Sequence, residues 1–161
     1  PTSPGYTTAK QLFNKFPPNS PDFVYSCRNL EDAMKVVSIA NRHNLTIAIK
    51  SGGTSMEGFS TCSGNCIQVS LSEYKTYSID KTTMAANISA GFSNGELYSE
   101  LFPKNLAVVS GTCQPVGFAG LSLGGGLSIL MRGNGLATDN ILALQVVLYN
   151  GTVVIADTNQ H

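Results

Sequence analysis

Residues 110–140 read SGTCQPVGFAGLSLGGGLSILMRGNGLATDN and combine eight of the chain's 16 glycines with apolar side chains. The glycines of this stretch are Gly111, Gly117, Gly120, Gly124, Gly125, Gly126, Gly133 and Gly135. A disordered linker is polar, whereas here Phe118 and Leu121 stand between glycines. Glycine lets the main chain approach a ligand closely and take positive φ, so the stretch predicts backbone wrapped around a bound molecule. The alternative is a tightly packed buried turn without a ligand.

A second glycine-containing loop, Ser51-Gly52-Gly53-Thr54-Ser55-Met56-Glu57-Gly58, follows a predicted strand at Thr46–Lys50. Ligands of open α/β sheets bind at the carboxyl ends of parallel strands. Two loops of main-chain N–H groups and small hydroxyl side chains suit a diphosphate, whose charge needs several fixed donors. Neither loop continues into the Gly-Lys-Ser/Thr of a P-loop, and neither has the Rossmann spacing G-x-G-x-x-G after a first strand.

Composition limits the classes of function. The chain has 161 residues, of which 42% are hydrophobic and 12% charged, with a formal net charge of +0. This length fits one domain, and the charged share is about half of the usual value. A neutral chain without a basic run argues against nucleic-acid binding, and no apolar run is long enough to span a membrane. The N-terminal sequence lacks a signal-peptide core, so if the protein is secreted, this is a mature form with its signal removed.

Asparagine triplets and cysteines favour the secretory route. N-glycosylation triplets begin at Asn44, Asn87 and Asn150. Cys62 and Cys66, in a turn rich in Ser, Gly and Asn, predict a local disulfide bond. Zinc is the alternative, but no histidine or second cysteine pair stands at ligand spacing, so we expect no metal site.

Hydrophobic periodicity predicts a parallel strand–helix–strand unit near the N-terminus. A strand at Phe23–Tyr25 precedes a helix that Asn29 caps, with Asp32 as the capping-box acid. The helix ends at His43-Asn44, which makes His43 a helix-end residue rather than a catalytic base. His43 and His161 are the only histidines, which argues against an acyl-transfer triad.

The fold class that follows is α+β, with a small parallel α/β lobe at about 23–73 and a mostly antiparallel α+β lobe at about 74–161. Residues 1–22 form an irregular lead-in with one helical turn around Ala9–Phe16. Further strands are predicted at Ile67–Leu71, Tyr74–Asp80, Met84–Ser89 and Ala107–Val109. A helix is predicted at Ser93–Leu101, with Ser93 and Glu96 as a capping box and Pro103 as its stop. A hairpin of Ile141–Tyr149 and Thr152–Ala156 is predicted around Asn150-Gly151.

At the two loops the sequence resembles the berberine-bridge-enzyme-like (BBE-like) flavin oxidases of the vanillyl-alcohol-oxidase superfamily, which have a PCMH-type FAD-binding domain. Residues 50–58 resemble that family's Arg-Ser-Gly-Gly-His-x-x-Glu-Gly loop, and residues 110–117 resemble its second flavin loop. Gly124-Gly125-Gly126 with Gly135-Leu136-Ala137-Thr138-Asp139-Asn140 resembles its Gly-Gly-Gly…Gly-Leu-Ala-x-Asp-Asn signature. The similarity extends from about Phe23 to the end, so the resemblance implies this fold over residues 23–161, incomplete at the C-terminus.

The resemblance implies an FAD site built from both loops. The main chain of Ser51–Ser55 would hold the pyrophosphate, and Val153 would lie near the adenine half. The cofactor-binding residues implied are Ser51, Gly52, Gly53, Thr54, Ser55, Gly111, Thr112, Cys113, Val116, Gly117, Gly120, Gly125, Gly126, Gly135, Leu136 and Val153. Cys113 falls where many members form a thioether to the flavin, the alternative being a buried thiol or a disulfide partner. Val116 falls at the position that gates oxygen, where a small aliphatic resembles the oxidases more than the dehydrogenases.

Two residues depart from the family pattern. Thr54 replaces the histidine that bonds to the flavin, so no histidyl link can form. The flavin is then attached through Cys113 alone or held non-covalently, with a lower redox potential and looser retention. Leu121 replaces a polar residue that is common in the family.

The chain also ends early relative to the family, whose members continue into a further FAD segment and a substrate domain with the catalytic base. We therefore expect one piece of a processed chain, with the remaining polypeptide as partner and no catalytic residue nameable here. Glu57 and Asp139 are interpreted as hydrogen-bond acceptors that fix loops.

The predicted function is the FAD-binding portion of a secreted oxidase, which passes hydride from an alcohol or sugar-type substrate to flavin and electrons to oxygen, giving peroxide. One alternative, motivated by Thr54, is a catalytically inert flavoprotein-like module for binding, defence or storage. Another is an NAD(P)H-linked flavin reductase with the same fold.

Overall fold

The computed structural model describes residues 2–15 and 20–160. A short helix, α1 (Tyr6–Ala9), precedes a three-stranded parallel sheet of β1 (Ser20–Ser26), β2 (Thr46–Lys50) and β3 (Ser63–Ser70). The strand order is β1-β3-β2, so β3 lies between the two strands that the sequence predicted as a parallel crossover pair. Both neighbours run parallel to β3, in agreement with the predicted parallel unit.

Helix α2 (Leu30–His43) connects β1 to β2 and covers one face of the sheet. The Asn29 side chain accepts a hydrogen bond from the Asp32 main-chain N–H at 2.9 Å, which confirms the predicted N-cap. Asn44 closes the helix in the left-handed conformation with φ 51°, as expected for a C-cap asparagine. The core on this face consists of Cys27, Val36, Ala40, Ile67 and Val69, with Tyr25, Ala33, Leu45, Ile47 and Leu71 packed around it.

The second part of the chain begins with an antiparallel pair, β4 (Tyr77–Asp80) and β5 (Ala85–Ile88). Helix α3 (Asn94–Leu101) follows with the predicted Ser93–Glu96 capping box, and a 3-10 turn that contains Pro103 continues from it. Phe92, Leu97 and Leu101 form a second buried cluster beneath this helix.

The glycine-rich stretch contains two short helices, α4 (Phe118–Leu123) and α5 (Met131–Asn134), and a 3-10 turn at Thr138–Asn140. The chain then forms the predicted hairpin of β6 (Ala143–Val147) and β7 (Val153–Asp157). Gly151 occupies its turn with φ +85°, a conformation that suits glycine. The parallel sheet and the antiparallel pairs together confirm the predicted α+β class.

Three local predictions differ from the structure. Ala107–Val109 is not a strand, because it finds no partner strand among the described residues. β3 begins at Ser63 rather than Ile67, since the polar residues before Cys66 pair with β1 without contributing apolar side chains. The N-terminal helical turn lies at Tyr6–Ala9, upstream of the predicted Ala9–Phe16, and Phe16 lies outside the described residues.

Candidate functional site

The first loop, residues 51–58, leaves the carboxyl end of β2, where open α/β sheets bind their ligands. Gly53 and Gly58 have φ +67° and +80°, which other residues rarely adopt. Gly53 is buried, while Thr54 and Ser55 are half-buried. The loop therefore holds a fixed turn whose outer side remains open.

The carbonyl and N–H groups of the first loop are used very differently. The carbonyl of Gly53 accepts from the Phe13 N–H at 3.0 Å, that of Ser55 from the Gly58 N–H at 3.4 Å, and that of Met56 from the Asn14 side chain. Within residues 2–15 and 20–160, no acceptor is found for the main-chain N–H groups of residues 52–55. A row of unpaired N–H groups is the arrangement that binds a phosphate, so the loop fits a diphosphate group.

The second loop, residues 110–117, is held by the N-terminus of α3. The N–H groups of Asn94 and Gly95 donate to the carbonyls of Val116 and Gln114 at 2.9 and 3.0 Å. The first turn of a helix leaves N–H groups without intrahelical partners, and the second loop supplies acceptors for two of them. Helix α3 thus fixes the path of this loop.

The buried Asn94 side chain fixes the same loop from below. Its Oδ1 accepts from the Ser110 hydroxyl at 2.6 Å, and its Nδ2 donates to the Cys113 carbonyl at 3.1 Å. Tyr98 donates its hydroxyl to the Gly111 carbonyl at 2.7 Å, and burial raises the pKa of Tyr98. Neither Asn94 nor Tyr98 could be predicted as a loop-fixing residue, because contacts between distant segments leave no local pattern in the sequence.

The two loops meet main chain to main chain. A Cβ placed on Gly52 would lie 2.3 Å from the Gly117 nitrogen, and a Cβ on Gly117 would lie 2.4 Å from the Gly52 nitrogen and 2.5 Å from Ser51 Oγ. Real Cβ atoms do not approach other atoms so closely, so both positions require glycine. The loops that the sequence identified separately therefore form one continuous surface.

Leu121 joins the second loop to the rest of the glycine-rich stretch. A Cβ on Gly111 would lie 2.4 Å from Leu121 Cδ1, and a Cβ on Gly126 would lie 2.7 Å from Leu121 Cδ2. The N–H of Ala137 donates to the Gly126 carbonyl at 3.0 Å. The leucine that departs from the family pattern thus fills the space between two glycines.

Asp139 fixes the end of the glycine-rich stretch. Its carboxylate accepts from the Leu136 N–H at 2.8 Å and lies against Gly135, which has φ +72°. This hydrogen bond confirms the interpretation of Asp139 as a loop-fixing acceptor. Glu57 is exposed, and its role as an acceptor stays a prediction.

The remaining cofactor-binding candidates lie at different distances from this surface. Thr112 and Cys113 are exposed on the second loop, and the Cys113 thiol is free. Gly120 faces open space on α4, and Leu136 lies 3.7 Å from a Cβ built on Gly125. Val153 lies on β7, paired with Val147, in a different sheet from the loops.

The other predicted features are local. Cys62 and Cys66 form the predicted disulfide bond, with Cα atoms 6.3 Å apart. Asn44, Asn87 and Asn150 are all exposed. Within the described residues, no cluster of three or more metal-ligating side chains occurs. Over the same ranges, no helix has both the length and the apolar character that a membrane crossing requires.

Residues 21–157 match the family model described as an FAD binding domain. The chain belongs to this FAD-binding domain family. Because flavin adenine dinucleotide contains a diphosphate, the unpaired N–H groups of the first loop and the open side of the glycine-rich stretch fit this cofactor.

Individual relatives support the same assignment and confirm the resemblance to the BBE-like proteins. The chain is 32% identical over 145 residues to an uncharacterized FAD-linked oxidoreductase, YgaK, of Bacillus subtilis, covering 90% of this chain and 32% of the relative. It resembles the solved BBE-like 1 protein of Physcomitrella patens with a TM-score of 0.93 and 32% identity, covering 99% of this chain and 35% of that one.

A xylooligosaccharide oxidase of Myceliophthora thermophila matches with a TM-score of 0.88 and 30% identity, over 99% of this chain and 34% of that one. The FAD-binding domain described here spans about a third of the length of the curated relatives it matches. Curated relatives such as YgaK are described as FAD-linked oxidoreductases, so the family is one of oxidoreductases.

Proposed function

We propose that the chain is the FAD-binding portion of an oxidase that acts on an alcohol or sugar-type substrate. The observation that carries the proposal is the contact between Gly52 and Gly117, which unites two loops around a row of unpaired N–H groups. The likeness to an oligosaccharide oxidase supports the substrate class. FAD, when bound, supplies the acceptor for hydride and delivers the electrons to oxygen, giving peroxide.

The residues of this chain would bind and orient the cofactor. The N–H groups of residues 52–55 would neutralise the diphosphate, while the glycines of the second stretch would let the main chain approach the remaining parts of the cofactor. These glycines are Gly111, Gly117, Gly120, Gly125, Gly126 and Gly135. Leu136 and Val153 complete the proposed set, with Val153 toward the adenine half. The catalytic base belongs to the part of the polypeptide outside residues 1–161.

Cys113 is the proposed point of covalent attachment. Its thiol is exposed, and its carbonyl is fixed by the Asn94 side chain and by the Val116 N–H at 3.3 Å. With FAD bound, this fixed main chain would hold the thiol beside the flavin ring. The new S–C bond would replace the S–H bond and a ring C–H bond, and the two electrons lost would pass to the flavin and then to oxygen. Thr54 cannot form the histidyl link, so we propose a single thioether, and Val116 as the side chain that admits oxygen.

The remaining polypeptide has a proposed place on the apolar surface near the C-terminus. Leu127, Ile129 and Leu142 are 71%, 82% and 73% exposed, an unusual share for large aliphatic side chains. Because the chain spans about a third of its relatives, we propose that the substrate domain of a longer polypeptide covers them. We further propose a secreted, glycosylated protein, since Asn44, Asn87 and Asn150 are exposed and a disulfide is present.

The experiment is an absorption spectrum of the purified full-length protein before and after acid precipitation, with a Cys113→Ala variant as control. We expect a flavin spectrum from both proteins before precipitation. After precipitation, the flavin should stay with the precipitate of the parent and move to the supernatant of the variant. Release of flavin from both proteins would contradict the thioether but not the proposed cofactor site. Absence of flavin from both, after FAD has been added back, would contradict the proposed cofactor site.

Peroxide release on a panel of sugars and alcohols separates the possible activities. We expect peroxide from the flavin-loaded protein with at least one sugar. Bleaching of the flavin by NAD(P)H, without bleaching by any sugar, would favour a reductase. A flavin that neither donor reduces would favour an inert binding module, the alternative that Thr54 motivates.

A further inference from the structure

Residues 6–14 lie against the first loop and are called the N-terminal clasp. The clasp donates twice to that loop, from the Phe13 N–H to the Gly53 carbonyl at 3.0 Å and from the Asn14 side chain to the Met56 carbonyl. Leu12 Cδ2 also lies 3.3 Å from a Cβ built on Gly53. A segment far away in sequence therefore contacts the loop at two of its carbonyl groups.

Lys50 ties the clasp to the sheet. Its half-buried ammonium group donates to the carbonyl of Ala9 at 2.9 Å and to that of Gln11 at 2.8 Å. Lys50 is the last residue of β2, so the residue that anchors the clasp directly precedes the first loop. Its Cε lies 3.1 Å from a Cβ built on Gly53, beneath the turn of that loop.

A buried glutamine supports the same anchor. The Gln68 side chain, with 0% exposure, donates to the Ala9 carbonyl at 3.2 Å and accepts from the Thr61 hydroxyl at 2.7 Å. Gln68 pairs in register with Ala48, so Gln68 and Lys50 project from the same face of the sheet, opposite the face that α2 covers. The two donors thus hold the clasp on an otherwise uncovered polar face.

Peptide geometry connects these contacts to anion binding. In a planar trans peptide, the carbonyl of one residue and the N–H of the next point in opposite directions. When the Gly53 carbonyl is directed at the Phe13 N–H, the Thr54 N–H must point away from the clasp. The Met56 carbonyl, held by Asn14, fixes the far end of the loop in the same way. The clasp therefore determines the orientation of the Thr54 N–H, for which the part of the chain that the structure describes offers no acceptor.

We propose that Lys50 is a positioning residue which, through the N-terminal clasp, holds the first loop in the orientation that binds the flavin diphosphate. The inference rests on the proposed function and adds a device for cofactor retention. The role assigned to Lys50 is indirect, because two of the three donors of its ammonium group bind carbonyls of the clasp. The ammonium group is costly to bury, and burial lowers the pKa of Lys50, so its two carbonyl acceptors compensate for lost hydration.

The experiment compares Lys50→Met with Lys35→Met in the full-length protein that also carries Cys113→Ala, so that FAD binding is reversible. Methionine keeps the apolar stem of lysine and removes the ammonium group, while Lys35 is exposed on α2, on the other side of the sheet. We expect the FAD dissociation constant of Lys50→Met to rise about tenfold or more, since it loses two charge-assisted hydrogen bonds. Lys35→Met should bind FAD as the parent does, and Lys50→Arg should restore part of the affinity.

A second pair of variants removes a single donor of the clasp. Phe13→Pro deletes the N–H that binds the Gly53 carbonyl, and Phe13→Ala keeps it while removing the ring, which is 69% exposed. We expect weaker FAD binding in Phe13→Pro only. Hydrogen exchange measured without flavin should also show faster exchange at the Gly58 amide, which donates to the Ser55 carbonyl within the first loop, in Phe13→Pro and Lys50→Met than in their controls.

The outcomes separate this inference from the proposed function. If the parent binds flavin and the FAD affinity is unchanged in Lys50→Met and Phe13→Pro, the proposed role of the clasp is wrong, while the proposed FAD site stands. A uniform loss of urea stability in Lys50→Met, without faster exchange in the first loop, would also overturn it. A parent that binds no flavin would contradict the proposed function, and unchanged exchange at the Gly58 amide would then reject the role of the clasp independently.

Discussion

The parallel sheet and the C-terminal hairpin are both built from short apolar strands, yet only the sheet buries both of its faces. Helix α2 covers one face of the sheet and the N-terminal clasp contacts the other. On the hairpin, Leu144 and Ile155 are 39% and 41% exposed, and the adjoining Leu142 is 73% exposed. A two-stranded hairpin alone is marginally stable in water, so the sheet carries its own core whereas the hairpin depends on further contacts.

This difference bears on the proposed flavin site. The first loop follows β2 of the sheet and is contacted by the N-terminal clasp. The second loop is fixed by α3 and by its contact with Gly52, and it leads into the exposed part of the molecule. In the proposed site, this chain would organise the diphosphate end, and the apolar surface beyond Leu123 would contact the rest of a longer polypeptide.

The largest expected effect comes from separating the two loops with Gly117→Ala. The added Cβ would lie 2.4 Å from the Gly52 nitrogen, so main chain must move. We expect a loss of about 3 kcal/mol or more in the free energy of unfolding, and no measurable FAD binding. Urea unfolding followed by circular dichroism, together with an FAD titration, checks this prediction.

Gly133→Ala is the matched control, because a Cβ there meets nothing within 4 Å. It should unfold at the same urea concentration as the parent or a slightly higher one, since alanine favours the short helix α5. Equal stability of the two variants would show that the loops are not packed main chain against main chain.

The next effect compares the two strand regions directly. Val36→Ala removes a side chain that is 1% exposed in the core under the sheet, and we expect a loss of about 2 kcal/mol. Leu142→Ala removes an exposed side chain beside the hairpin and should change stability by less than about 0.5 kcal/mol in residues 1–161. The urea midpoints of unfolding of both variants test this prediction. A larger loss of stability for Leu142→Ala than for Val36→Ala would contradict it.

A smaller effect is expected at the cap of α3, which connects the buried cluster to the second loop. Ser93→Ala removes the side chain that accepts from the Glu96 N–H at 3.4 Å, and we expect a loss of about 1 kcal/mol. Ser99→Ala, on the exposed side of the same helix, should be nearly neutral. Thermal unfolding of both variants measures the difference, and an equal response would argue against the capping box.

A separate comparison concerns alkaline pH. Burial and the neighbouring Asp32 raise the pKa of the Cys27 thiol to about 11. The unfolded thiol ionises near pH 8.5, so the stabilisation is complete below that pH and is lost as the pH rises toward the folded pKa. Unfolding free energies measured at about pH 8 and about pH 10 should show this decline in the parent and in Cys113→Ala, and a smaller decline in Cys27→Ala. An unchanged decline in Cys27→Ala would assign the effect to other groups.

Much of the fold could be predicted because local signals agreed with the final packing. Asn29 and Ser93 are strong cap residues, and the structure begins a helix after each of them. Gly52 and Gly117 could be identified as belonging to ligand loops, but sequence spacing does not specify which glycines touch. Their contact depends on the path of α3, which is a tertiary property.

The parts that could not be predicted depend on polar contacts between distant segments. Residues 6–14 have a weak secondary-structure pattern, so they were interpreted as a lead-in, while Lys50 and Gln68 bind them across the sheet. Asn94 likewise has no periodic signal, and its function comes from the buried hydrogen bonds with Ser110 and Cys113. Long-range hydrogen bonds of this kind leave no local trace in the sequence.

The central claim is that the N–H groups of the first loop bind the diphosphate of FAD. The direct measurement is a titration of the flavin-free Cys113→Ala protein with FAD and with riboflavin, followed by competition with ADP. The account predicts that ADP competes with FAD and that riboflavin, which lacks the diphosphate, binds at least about tenfold more weakly than FAD. Equal affinity for riboflavin and FAD, without competition by ADP, would contradict it.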